Sequence, residues 1–197
     1  MKAIPFLTLA TTLTLTAHVG AAAPNASSKG SDAIGGRAAR GKYLVTAMGC
    51  NDCHTPLKMG ANGPEHDMTR MLSGHPQELK MPAPPAGVGP WQWVGAATST
   101  AFAGPWGVSY AANLTPDQHT GLGIWTEEMF VKAIRTGKHF GVSRPIMPPM
   151  PWTAFRNLTD EDLRSIYAYL RAIPPVKNLV PDYEAPKVAE AQPPKAR

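Results

Sequence analysis

The chain has 197 residues, 43% of them hydrophobic, which suits one domain with a buried core. Lys and Arg outnumber Asp and Glu 19 to 14, but no basic run is interleaved with aromatics, so nucleic-acid binding has no support. Only Cys50 and Cys53 are present, which excludes a disulfide framework.

Residues 1–23 read as a signal peptide: Lys2 supplies charge, Ile4 to Val19 a moderately apolar stretch, and Gly20-Ala21-Ala22-Ala23 small residues for cleavage after Ala21 or Ala22. An uncleaved anchor is the other reading, although the stretch is short and threonine-rich for one. Residues 24–31 read as a flexible lead-in.

The first predicted helix runs from about Asp32 to Met48, with Ser31 as N-cap and Ala39, Tyr43, Leu44 and Ala47 as its apolar stripe. Gly35, Gly36 and Gly41 weaken it, so packing must hold it, and Gly49 suits a C-terminal cap. The helix delivers the chain into Cys50-Asn51-Asp52-Cys53-His54. A Cys-x-x-Cys-His run reads as a c-type haem attachment site. Two thiols three positions apart can form thioethers to the two vinyl groups, and His54 supplies an axial nitrogen to the iron. Three other readings stand beside it. A Cys50–Cys53 disulfide closes too short a loop to stabilise much. A zinc site lacks two ligands. A thioredoxin-like dithiol wants a strand before it, where this sequence reads as helix. Export and a c-type haem agree, since both put the chain outside the cytoplasm.

The stretch from Thr55 to Gly104 is rich in Pro and Gly and reads as a long, loop-rich insertion. Trp91, Trp93, Trp106 and Pro82-Ala83-Pro84-Pro85 are candidates to pack on the core, cover the haem or meet a partner. A second helix is predicted from Thr126 to Thr136, capped by Thr126, stapled by Trp125 and Phe130, ended by Gly137, with Phe130, Ala133 and Ile134 inward. Arg144-Pro145-Ile146-Met147-Pro148-Pro149-Met150-Pro151-Trp152 follows as a stiff loop offering two thioethers for a sixth iron ligand. His66, His75, His119 and His139 are the rival ligands. The third helix begins after Thr159, with Asp160, Glu161 and Asp162 in its first turn, Leu158 packing on Leu163, and a stripe of Leu163, Ile166, Tyr167 and Leu170. The tail 174–197 alternates Pro, Ala and charge and is expected to be extended or disordered. Three helices and no convincing strand pattern predict an all-α domain over 32–173, with 57–103 as its insertion.

The motifs together resemble those of class I cytochromes c, in the branch of periplasmic monohaem and dihaem carriers that includes dehydrogenase cytochrome subunits. The matching residues are Gly41-Lys42-Tyr43-Leu44, the Cys50–His54 run, Asn113-Leu114-Thr115-Pro116-Asp117, Thr120 to Thr126, Met147 to Trp152, and Leu158 to Leu163 through Tyr169-Leu170. The resemblance implies a cytochrome c fold of at least three helices around one covalently bound haem. It also implies Met150 rather than Met147 as the distal ligand, because the family's axial Met is followed by Pro and an aromatic, and it sets Asn113 to Pro116 near a haem edge. The function expected is one-electron transfer in the periplasm, without catalysis, to a redox partner such as a dehydrogenase, another cytochrome or a terminal oxidase; peripheral membrane association is compatible with it. The alternative is a haem enzyme acting on peroxide or an inorganic sulfur compound, with an open or displaceable sixth site and the loose acid–base set His66, Arg70 and His75, or a small-gas binder in which Met150 does not bind.

Overall fold

The computed structural model describes residues 26–84 and 93–186, with side chains from residue 35 onward. The expected signal peptide, Trp91 and the last part of the tail lie outside the described residues. Within them are five α-helices: α1 (Ala26–Ala47), α2 (Cys50–His54), α3 (Glu127–Thr136), α4 (Trp152–Phe155) and α5 (Asp160–Ala172). None is long and apolar enough to cross a membrane.

Helix α1 packs along α5, which also meets α3. Leu44 and Val45 from α1, Phe130 and Ile134 from α3, and Leu163, Ile166 and Leu170 from α5 form the core. The caps of the two later helices follow from sequence. Thr126 accepts from the Met129 amide and Thr159 from the Asp162 amide, each satisfying an orphan donor of a first turn that carries acidic residues. Gly137 closes α3 in the left-handed region at φ 66°.

Helix α1 departs from expectation twice. It starts at Ala26, inside the expected lead-in, so Ser31 is not its cap; no proline interrupts 26–47 and the helix runs on. Its buried face is also rotated. Tyr43 is 62% exposed, and Ala39 and Ala47 are exposed, whereas Gly41, Leu44 and Val45 are buried. The reason is the crossing with α5. A Cβ on Gly41 would stand 1.9 Å from the Ser165 carbonyl oxygen and 2.8 Å from Tyr169 Cβ, so the two backbones touch where α1 has no side chain. That contact fixes which face turns inward, and Tyr43 is left outside with the Arg40 guanidinium over its ring.

The all-α expectation needs correction in the insertion. It holds an antiparallel hairpin of β1 (Leu57–Gly60) and β2 (Gly63–His66). From its end into the residues that follow runs a three-stranded antiparallel sheet, β3 (Val94–Gly95), β4 (Ala101–Gly104) and β5 (Gly107–Tyr110), in that order. Both β1–β2 and β4–β5 end on a glycine pair bracketing two turn residues, Gly60↔Gly63 and Gly104↔Gly107. Strands of two to four residues are too short to display an alternating pattern. Trp93 and Trp106 belong to this sheet rather than to the helical core: Trp93 meets Phe102 edge-on at 5.5 Å, and the Trp106 ring lies over Gly104.

Residues 174–186 are extended, and they are pinned. Asn178 is 1% exposed; its amide donates to the Ser73 and His75 carbonyls at 2.7 and 2.8 Å and accepts from the Gln77 amide at 2.9 Å. Further on, Glu184 and Val108 exchange both backbone hydrogen bonds, at 2.8 and 2.9 Å, adding a rung to β5.

Two outcomes test this frame. Gly41→Ala should lower stability by about 1–3 kcal/mol through overpacking at the α1–α5 crossing, read as a lower urea midpoint at unchanged slope. Asn178→Ala should cost about 2–4 kcal/mol, since two buried carbonyls lose their donor, and hydrogen exchange of residues 73–77 should speed up with it.

Candidate haem site

Helix α2 is the Cys-x-x-Cys-His run itself. Gly49, at φ 67°, breaks α1 and starts α2, and the Asp52 amide donates back to the Gly49 carbonyl at 3.0 Å. Cys50 and Cys53 are half-buried free thiols. Burial pushes the Cys50 thiol up to about 11, and burial followed by the nearby Asp52 raises Cys53. A dithiol tuned for disulfide exchange needs the opposite shift, so the thioredoxin-like reading loses its support.

His54 is oriented by backbone. Its Nδ1 lies 2.7 Å from the Ala112 carbonyl oxygen, and a carbonyl only accepts, so Nδ1 carries the proton and Nε2 keeps its lone pair. Burial lowers the imidazole's pKa and the Ala112 bond partly offsets this, so the ring is neutral at physiological pH. A neutral ring with a donating Nδ1 is the state a metal-ligating histidine takes.

Ala112 is held in turn. The Gly74 amide donates to the His54 carbonyl at 2.8 Å, the His75 amide to the Ala111 carbonyl at 2.9 Å and the Leu114 amide to the Leu72 carbonyl at 2.8 Å. The insertion's 72–75 segment therefore runs beside 111–114. Gly74, at φ 79°, permits the approach: a Cβ there would stand 2.3 Å from the Ala111 oxygen. Asn113 follows as a buried anchor, accepting from the Thr115 amide at 2.9 Å and donating to the Val176 carbonyl at 2.8 Å.

The two methionines sit differently. Met150 packs against the helical core, as do Cys50, Met48, Met71 and Leu114, all half-buried; Met147 is half-buried outside that set. The loop is tied to α3 by the Ile146 amide donating to the Gly137 carbonyl at 2.8 Å.

The rival ligands and the acid–base set are scattered or occupied. His75 is fully buried, its Nε2 donating to the Leu79 carbonyl at 3.0 Å and its Nδ1 accepting from Thr100 at 2.9 Å. Arg70 is ion-paired with Glu78 and bonded to Asn178. His66 stands 3.9 Å from Asp52, His119 is exposed, and His139 packs edge-on against Trp125 at 5.0 Å.

Sequence reasoning did not find Ala112, because a carbonyl has no side-chain signature; its only signal is that it directly precedes Asn113-Leu114-Thr115-Pro116. It also missed Asn178, in a tail whose composition gives no hint of burial.

The residues present fit a covalently bound haem: two unpaired thiols at the right spacing, an imidazole with a free Nε2, and a thioether on the same core. Comparison with known proteins agrees. Residues 38–174 match the family described as Cytochrome c. The fructose dehydrogenase cytochrome subunit of Gluconobacter japonicus is 31% identical over 131 residues, 66% of this chain and 20% of that protein. The gluconate 2-dehydrogenase cytochrome c subunit of Pantoea cypripedii is 28% identical over 151 residues, 75% of this chain and 26% of that protein. The cytochrome c subunit of the quinone-dependent alcohol dehydrogenase of Gluconobacter oxydans is 38% identical over 86 residues, 42% of this chain and 18% of that protein. The chain spans about a quarter or less of the length of these relatives. On the family match, the chain belongs to the cytochrome c family, whose members bind haem covalently and transfer electrons.

Proposed function

We propose that this cytochrome is a periplasmic one-electron carrier with a single haem c, tethered by Cys50 and Cys53 and ligated by His54 and Met150. The observation that carries the reading is the Nδ1–H bond from His54 to Ala112, which leaves Nε2 as the free donor. The single Cys-x-x-Cys-His run in the sequence supports one haem. Bound haem supplies a one-electron Fe(III)/Fe(II) couple.

The protein's own residues do the rest. Cys50 and Cys53 hold the group beside the core through bonds that exchange cannot break. His54, pinned by Ala112, keeps its ring orientation through redox change. Met150 supplies a neutral thioether, a weak ligand that favours the reduced state. Leu114, Met48 and Met71 pack on the same apolar core as Cys50 and Met150.

A dehydrogenase is the partner this reading favours, because the relatives are cytochrome subunits of dehydrogenases. Periplasmic location rests on the N-terminal signal pattern and on the chemistry of haem attachment. The enzyme alternative is disfavoured because Arg70 and His75 are engaged in structural bonds.

Oxidised and reduced spectra of the exported protein, with and without carbon monoxide, test this. A Met–ferric charge-transfer band and no response to carbon monoxide are expected. Met150→Ala should abolish the band, admit carbon monoxide and lower the reduction potential by on the order of 0.1–0.3 V, within the roughly 0.8 V that axial ligands span. Rapid carbon monoxide binding by the unmodified protein would sink the closed-site reading.

A further inference from the structure

The loop carrying Met150 cannot hold itself. In Met147-Pro148-Pro149-Met150-Pro151 three residues are proline, so the segment is rich in carbonyls and poor in N–H donors. Its flanks are tied, by the Ile146 amide to Gly137 at 2.8 Å and by the Trp152 amide to the Met150 carbonyl at 2.9 Å. Between them, the donor to the loop comes from the sheet: Ser109 Oγ, 7% exposed on β5, donates to the Pro148 carbonyl at 2.5 Å.

That hydroxyl is itself aimed. Trp106 Nε1 donates to Ser109 Oγ at 3.2 Å, so the serine's proton is directed elsewhere. Its other acceptor, the Phe102 carbonyl across the β4–β5 ladder, is at 3.4 Å, and Pro148 is the nearer. The Trp106 turn is fixed on its far side, where the Tyr183 hydroxyl donates to the Trp106 carbonyl. A chain of donors therefore runs from the β4–β5 hairpin to a point two residues before Met150.

The geometry points to Ser109, oriented by Trp106, as the positioning residue that holds the Met150 thioether in place, and to the three-stranded sheet of β3, β4 and β5 as the support of the distal ligand. This rests on Met150 being that ligand. Removing the hydroxyl frees the loop, so Met150 spends more time away and an external ligand competes better.

The test uses the haem-loaded protein and reads carbon monoxide affinity of the ferrous form, the Met–ferric band and the reduction potential, with helicity and urea midpoint as folding controls. Ser109→Ala should raise carbon monoxide affinity by a few-fold to about tenfold, the range one lost net hydrogen bond permits, while weakening the band and lowering the potential. Ser109→Thr, which keeps a hydroxyl, should restore all three. Trp106→Phe should move them in the same direction by less, and it decides the matter if Ser109→Ala does not fold. Unchanged affinity and potential in Ser109→Ala or its substitute, with Met150→Ala opening the iron, would overturn the positioning role alone. No opening in Met150→Ala would overturn both readings.

Discussion

One backbone carbonyl, that of Ala112, sets the tautomer and orientation of His54. An imidazole next to two thiols has two nitrogens, and only the bond to Ala112 decides which one is left for a metal. That carbonyl is positioned by a ladder between 72–75 and 111–114, made possible by the missing side chain of Gly74. The ladder draws half its residues from the insertion. The insertion is therefore part of how this protein builds its site, and not an ornament on a smaller cytochrome.

A second constraint acts on the helices. The α1–α5 crossing is a backbone contact at Gly41, so the orientation of α1 is decided at a point where no side chain exists. Since α1 runs into Gly49 and then Cys50, the crossing also bears on where the Cys-x-x-Cys-His run emerges. Gly41 thus lies nine residues before Cys50 on the helix that leads into the Cys-x-x-Cys-His run.

Much of this was legible in the sequence where a side chain carries the instruction. Thr126 and Thr159 announced their helices by capping chemistry, and Phe130, Ala133, Leu163, Ile166 and Leu170 announced their buried faces by spacing. The Cys50–His54 run raised the expectation of a covalent haem, which the family match supports. What escaped depends on backbone or on distance along the chain. Periodicity put Tyr43 and Ala47 inward because it scores apolar side chains, and the interface is instead built on a glycine. The insertion's strands are too short for a period to register, although their Gly-x-x-Gly turns were visible. Ala112 acts through a carbonyl, and Asn178 finds its partners about a hundred residues earlier, where no local pattern could point.

Those partners of Asn178 carry a consequence for how the chain reaches its final form. The Ser73 and His75 carbonyls lie 105 and 103 positions before it. Closing a loop of that length costs entropy, and so does the α1–α5 crossing, where Arg40 reaches Asp162 122 positions on. The helical core and the seat of the insertion under Asn178 therefore both rest on contacts made across most of the chain, and neither closes before residues 160–178 have been brought back.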